Sequence, residues 1–149
     1  MKRGEFLIST GKGVLLMCSG SCMLASCSSG DDGGGTQPPG NGGPTTVSVS
    51  LSGLSEVGAQ TTKSGVLFFR IGEGQTTSDF VATEAVCPHQ GGQLVWEQEN
   101  GYIECQLHFS RYESDGDTIR GPQNAAGTTR DLKVYAISIS NGNLIATVS

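Results

Sequence analysis

The sequence predicts an all-β domain of short strands and tight turns. Three observations carry that prediction. Glycine accounts for 23 of 149 residues while aromatic content is 6%, a composition that suits strands broken by turns better than a helical bundle. Apolar residues recur with a period of two, or in short continuous runs, between Gly and Asn-Gly breaks. No window of helical period with caps stands out, and no internal repeat is visible. The length of 149 residues allows one domain with a segment attached. Domains of about 100 residues are only modestly stabilised by burial, so a bound metal group would add useful folding free energy. The net charge of −5 argues against a nucleic-acid groove and is compatible with a positively charged protein partner.

Residues 1–26 read as a targeting segment. Lys2 and Arg3 give it a positive start, and the weakly apolar run from Val14 to Ala25 is too short and polar to span a membrane. It ends Leu24-Ala25-Ser26-Cys27, which resembles the bacterial lipobox: a leucine, two small residues, then the cysteine that takes the lipid. Cys18 follows Met17, and Cys22 has Ser19 at the leucine position, so both fit worse. The resemblance makes Cys27 the lipidated N-terminus, anchored through acyl methylenes at about 0.8 kcal/mol each. The alternative is an ordinary cleaved signal peptide with incidental cysteines. Arg3-Gly4-Glu5-Phe6-Leu7 is similar to the twin-arginine export motif, but Gly4 stands in the second arginine position. The general and twin-arginine routes therefore both stay open. Residues 27–46 are rich in Gly, Ser and Pro and read as a flexible hydrophilic tether.

From Val47 the pattern becomes β, and the domain is expected over 47–149. Val47, Val49 and Leu51 alternate with serines, as in a half-buried strand. Val66 to Ile71 is a near-continuous apolar run between Gly65 and Gly72, a candidate central strand. Phe80 to Val86 is a third strand that delivers the chain to Cys87. Leu94-Val95-Trp96 and Tyr102-Ile103-Glu104 flank Asn100-Gly101, a strong hairpin signal. Gly-rich polar sequence follows to Arg130. Leu132 to Ile139 and Leu144 to Val148 then bracket Asn141-Gly142 as a closing hairpin.

The chemistry concentrates between Cys87 and Tyr112. Cys87-Pro88-His89 and Cys105-Gln106-Leu107-His108 are separated by fifteen residues. These two knuckles hold both histidines of the sequence and both cysteines beyond Cys27. Ligands two apart in extended or turn backbone point the same way, and ligands three apart across a turn form a usual knuckle. Two thiolates and two imidazoles suit a single tetrahedral zinc. They equally suit a [2Fe–2S] cluster with both cysteines on one iron and both histidines on the other.

The paired knuckles resemble the Rieske iron–sulfur motif, over about 100 residues from near Val47 onward. Gly121-Pro122 and the closing hairpin are similar to family positions. The resemblance implies a Rieske-like stack of small antiparallel sheets with a two-knuckle cluster-binding subdomain. It implies Cys87 and Cys105 on an inner iron, and His89 and His108 on an outer iron near the surface. Ser110 and Tyr112 match a serine and a tyrosine that donate hydrogen bonds to a bridging sulfide and a cysteine sulfur, favouring the reduced cluster. Gly92 and Leu107 stand where the respiratory branch has two further cysteines in a disulfide, so that disulfide is absent. Gln106 and Phe109 replace a common proline and glycine of the second knuckle. With no disulfide but both polar tuners present, the expected potential is intermediate to high within the family's span of roughly −150 to +300 mV.

The expected function is one-electron transfer by an exported, membrane-tethered carrier on the periplasmic side of a bacterial membrane. Its partner would be a redox protein, either a cytochrome or an oxidoreductase subunit of a quinol-oxidising or periplasmic system. The alternative is a zinc-stabilised surface lipoprotein acting as a non-redox binding module. An oxygenase is disfavoured, because its mononuclear iron needs two more histidines and a carboxylate. Glu97, Glu99, Asp115 and Asp117 read as surface solvation, and Trp96 as a packing residue.

Overall fold

The computed structural model describes residues 44–149. The expected signal segment 1–26, the lipidation site Cys27 and the tether up to residue 43 lie outside the described residues. The tether's last two expected residues, Thr45 and Thr46, already belong to the first strand.

The strands are β1 (Thr45–Ser50), β2 (Gln60–Lys63), β3 (Val66–Arg70), β4 (Phe80–Glu84) and β5 (Leu94–Glu97). They continue with β6 (Tyr102–Cys105), β7 (Arg111–Tyr112), β8 (Thr118–Arg120), β9 (Ala136–Ser140) and β10 (Asn143–Val148). They form three antiparallel sheets, in the orders β1-β10-β9, β2-β3-β4 and β5-β6-β7-β8. Helical structure among the described residues is confined to 3-10 turns at Leu51–Leu54 and Thr77–Asp79. The all-β architecture of small sheets expected from the sequence is therefore the one observed.

The central strand explains how the sheets cohere. Successive side chains of a strand point to opposite faces. In β3, Val66 and Phe68 enter a core with Val47, Val49, Leu54, Phe80, Ala82, Leu144 and Ala146. Leu67 and Phe69 enter the other core, with Leu94, Trp96, Ile103, Tyr112 and the two cysteines. Burial on both faces is why the sequence from Val66 reads as a continuous apolar run. Fully burying a side chain of this size contributes about 1.5–3 kcal/mol. Arg70 ends the strand, also buried, and its guanidinium donates to the carbonyls of Leu54, Ser55, Gly72, Glu73 and Gly74 at 2.6–3.1 Å. That one side chain closes two loops around β3.

The closing hairpin is a two-residue turn with Asn141 and Gly142 at φ 48° and 73°, between the paired Ser140 and Asn143. Both central residues are left-handed, as a type I′ turn requires. The Asn100-Gly101 hairpin is longer. Its strands end in the pair Glu97 and Tyr102, so four residues form the loop, and the Asn100 and Gly101 amides both donate to the Glu97 carbonyl.

Several expectations needed adjustment. Leu51 begins a 3-10 turn instead of ending β1. Strands β2, β7 and β8 were not foreseen, because their Thr-, Gln- and Arg-rich sequences lack an apolar face. The last hairpin's first strand starts at Ala136, not Leu132. Residues before it spend their backbone groups on β4: Tyr135 donates to the Ala82 carbonyl and Glu84 to the Lys133 carbonyl, at 2.8 and 3.0 Å. Trp96 is a packing residue as expected, stacked on Phe69 with ring centroids 4.6 Å apart. The Gln60 side chain brackets the Trp96 backbone with two 2.9 Å hydrogen bonds, occupying part of the otherwise open edge of β5.

Candidate metal centre

The two knuckles share one backbone plan. In the first, the Cys87 amide donates to the Gly92 carbonyl at 2.7 Å and the Gly91 amide to the Cys87 carbonyl at 2.9 Å. In the second, the Cys105 amide donates to the Ser110 carbonyl at 2.9 Å and the Phe109 amide to the Cys105 carbonyl at 3.0 Å. Each knuckle thus closes over five residues, with a left-handed residue four after its cysteine. Gly91 fills that position at φ 79° without a steric cost, whereas Phe109 at φ 58° carries one of about 1–2 kcal/mol. Phe109 is the residue that replaces the family glycine, so the departure noted in the sequence is a strained one. The Arg120 guanidinium donates to the Phe109 carbonyl at 3.1 Å and helps hold it.

Pairing of β5 with β6 brings the knuckles together. Leu94 stands opposite Cys105, Val86 bridges Gln93, and the Gln106 amide donates to the Gln93 carbonyl at 2.9 Å. Gly92 and Leu107, the positions of the missing disulfide, meet here. A Cβ on Gly92 would lie 2.6 Å from the Leu107 Cβ and 2.6 Å from the Cys105 sulfur. No side chain fits at 92 without moving a knuckle.

Cys87 and Cys105 are free thiols, both buried, while His89 and His108 are half-buried. The imidazole rings meet edge to face with centroids 5.2 Å apart. His89 Nε2 lies 3.0 Å from the Ala126 carbonyl oxygen. A carbonyl only accepts, so Nε2 donates this hydrogen bond and Nδ1 is the ring nitrogen left for another partner. Both Nδ1 atoms, of His89 and His108, are buried without a hydrogen-bond partner. So is the hydroxyl of Ser110, a residue with no exposed surface. The Tyr112 hydroxyl is 3.3 Å from the Cys87 sulfur.

Electrostatics point the same way. Burial pushes the Cys105 thiol above its ordinary range. Burial also pushes the Tyr112 phenol well up, and the adjoining Cys87 sulfur adds to the shift. Two imidazole Nδ1 atoms and a serine hydroxyl without partners, beside two buried sulfurs, are the donor set that a metal–sulfide group would satisfy. Among the described residues, no three His, Cys, Asp or Glu side chains gather around a single ion position.

Two buried cysteines and two half-buried histidines on hairpin-linked knuckles make up the candidate centre. The chain belongs to the Rieske [2Fe-2S] domain family, whose model matches residues 49–137, a span that includes both knuckles. A [2Fe–2S] cluster goes with that membership. Among curated relatives, a cytochrome b6-f complex iron-sulfur subunit of Chlorobaculum tepidum is 31% identical over 68 residues, covering 46% of this chain and 35% of the relative. The cytochrome b6-f complex iron-sulfur subunit of a Synechococcus strain is 29% identical over 116 residues, covering 75% and 62%. The chain thus spans about a third to three fifths of these relatives' length. A crystal structure of the plasma membrane Rieske protein of Synechocystis PCC 6803 superposes with a TM-score of 0.53 at 24% identity, over 68% of this chain and 99% of that one. The ferredoxin of carbazole 1,9a-dioxygenase from Nocardioides aromaticivorans gives 0.51 at 21% identity, over 71% and 98%. Both structural likenesses speak to the fold.

All six residues singled out in the two knuckles and beyond them fall in one place: Cys87, His89, Cys105, His108, Ser110 and Tyr112. Of the acidic residues, Glu99, Asp115 and Asp117 are exposed, as expected. Sequence reasoning missed the segment after Gly121-Pro122. It contributes the Ala126 carbonyl to His89 and the Thr129 hydroxyl to Tyr112, the latter at 2.6 Å. Gly127 carries φ 104°, and a Cβ there would lie 3.3 Å from His89 Nε2. The Gly127 that lets the backbone approach His89 was the available signal, hidden in a segment already rich in glycine.

Proposed function

We propose that this chain is an exported, lipid-tethered one-electron carrier in which Cys87 and Cys105 hold the inner iron and His89 and His108 the outer. The observation that carries the ligand assignment is the pair of buried Nδ1 atoms without partners, beside two buried thiols. When bound, a [2Fe–2S] cluster supplies reversible one-electron chemistry. The chain does the rest. Its cysteines lie in the apolar core with Leu94, Ile103 and Leu132, which excludes water from the sulfur side. Its imidazoles stay half-buried, so the nitrogen side is the face a partner reaches. Ser110 and Tyr112 supply hydroxyl donors that favour added negative charge.

Both histidines of the chain are used at this centre. Substrate chemistry therefore falls to a partner, a cytochrome or an oxidoreductase subunit. The cytochrome b6-f relatives support a quinol-oxidising system as its setting. Among the described residues, no helix is long and apolar enough to cross a membrane. The lipobox resemblance supports attachment through a lipid on Cys27, with the Gly-, Ser- and Pro-rich residues 27–46 as the tether and the domain on the periplasmic side.

Absorption and low-temperature EPR spectra of the purified protein test the cluster. A dithionite-reducible [2Fe–2S] signal of mixed ligation, with two irons per chain, is expected. A colourless protein with one zinc, from a preparation made without oxidation or chelation, would overturn the reading in favour of a non-redox module. Fractionation of cells carrying Cys27→Ser tests the anchor. Release of the domain from the membrane is expected, and unchanged membrane retention contradicts lipidation at Cys27.

A further inference from the structure

We propose that Thr129 is a positioning residue for the centre, polarising Tyr112 and through it the Cys87 sulfur. The inference rests on the ligand reading in which Cys87 holds the inner iron. Two contacts carry it. The Tyr112 hydroxyl lies 3.3 Å from Cys87 Sγ and 2.6 Å from Thr129 Oγ1.

The direction of both hydrogen bonds follows from proton counting. A metal-bound cysteine sulfur has no proton and can only accept. A phenol has one proton, so Tyr112 spends it on Cys87. At 2.6 Å two oxygens need a proton between them. Only Thr129 has one left to give, so its hydroxyl donates to the Tyr112 oxygen. The competing acceptor, the Arg130 carbonyl, is 3.4 Å away, too long to win the proton. The chain of donors runs Thr129 to Tyr112 to Cys87. Donation to the phenol oxygen polarises its O–H bond and strengthens the bond to sulfur, an effect that is larger where water is excluded. Tyr112 has no exposed surface.

The position of Thr129 is held from both sides. On one side the Gln123 amide donates to the His108 carbonyl at 2.8 Å, and His89 donates to the Ala126 carbonyl. On the other, Arg130 grips the Glu84 carboxylate with two hydrogen bonds, and the Lys133 amide donates to the same carboxylate at 2.9 Å. Glu84 closes β4, the strand that leads to Cys87. The strap from Gly121 to Asp131 is thereby tied to both knuckles, and Thr129 is the residue that aims a proton inward.

The test is a double-mutant cycle read as reduction potential by protein-film voltammetry on the loaded full chain. The variants are Thr129→Val, Tyr112→Phe and the two combined, with Thr129→Ser as the conservative rescue. The expected result is that Thr129→Val lowers the potential by less than Tyr112→Phe does, and that Thr129→Ser restores it. In the Tyr112→Phe background, Thr129→Val should add nothing. Equal shifts in both backgrounds would mean that Thr129 acts through the strap alone, and that outcome overturns the proposal. No shift in either background overturns it too. Tyr112→Phe without effect would sink the ligand-tuning reading itself, whereas an effective Tyr112→Phe beside a silent Thr129→Val sinks only the relay. Exchangeable-proton couplings of the reduced cluster by ENDOR give a second readout. Thr129→Val should weaken the coupling of the Tyr112 hydroxyl proton while the iron content stays at two per chain.

Discussion

Gly92→Ala is the smallest change that should disable the centre. The added methyl would sit 2.6 Å from the Cys105 sulfur, 2.6 Å from the Leu107 Cβ and 3.3 Å from the Leu107 amide nitrogen. Contacts below 3.0 Å require something to move, and the neighbours that close are the sulfur of the proposed ligand Cys105 and the Cβ of Leu107 in the same knuckle. The Cys87 amide is bonded to the Gly92 carbonyl and Cys105 is locked in the β5–β6 ladder, so neither knuckle gives easily. Overpacking of this kind costs about 1–3 kcal/mol. A domain of about 100 residues loses about 4–8 °C of melting temperature per kcal/mol, so a fall of about 4–24 °C is expected. That leaves the fold standing, since total stability is typically about 5–15 kcal/mol. The larger effect should be on cluster loading, because displacement of the Cys105 sulfur spoils the ligand set directly. Iron per chain and visible absorbance measure loading, while circular dichroism follows the melt. A Gly92→Ala protein that holds two irons and melts with the parent would show that the knuckles do not pack as described. By the same distances, cysteines at 92 and 107 cannot form a disulfide without the knuckles moving apart, since bridged Cβ atoms sit about 3.8 Å apart.

Other substitutions probe the remaining parts. Tyr112→Phe and Ser110→Ala should each lower the reduction potential. A hydrogen bond to a charged acceptor is worth about 1.5–3 kcal/mol, and if half is gained only on reduction the one-electron shift is about 30–65 mV; voltammetry showing no shift removes these residues as tuners. Arg70→Lys should destabilise the fold by about 2–4 kcal/mol in urea, because an ammonium cannot reach five carbonyls and each buried one left over costs about 1–3 kcal/mol. A midpoint within error of the parent would contradict that account. The Thr76 hydroxyl and the Thr76 and Gly74 amides hold the Asp79 carboxylate below the usual value of 3.8. A depressed carboxylate stabilises the fold above its unfolded pKa and loses that contribution as pH falls through the folded one. The stability gap between the parent and Asp79→Asn should therefore be constant near neutrality and shrink only below about pH 4. A gap that already closes between pH 7 and 5 would contradict it.

The sequence by itself determined the parts that depend on residue type at fixed spacing. Two Cys/His knuckles around an Asn-Gly break read as hairpin-linked, and the continuous apolar run from Val66 read as a candidate central strand. Leu107 and Gly92 already said that no disulfide staples the knuckles. Ser110 and Tyr112 came into view through the family resemblance, which has a serine and a tyrosine just after the second knuckle. The tertiary structure decided whatever depends on residues far apart in the chain. The pairing of β10 with β1 joins the two ends of the domain, and nothing local in either strand specifies it. Strands β2 and β8 form because a neighbour offers them backbone partners, and two-residue β7 because Tyr112 is drawn into the core. The strap around Thr129 was unreadable for the same reason. Its contribution is a carbonyl from Ala126, a hydroxyl from Thr129 and an open position at Gly127. A carbonyl leaves no trace in residue identity, and the other two gain meaning only when β4 and the second knuckle hold the strap against His89 and Tyr112.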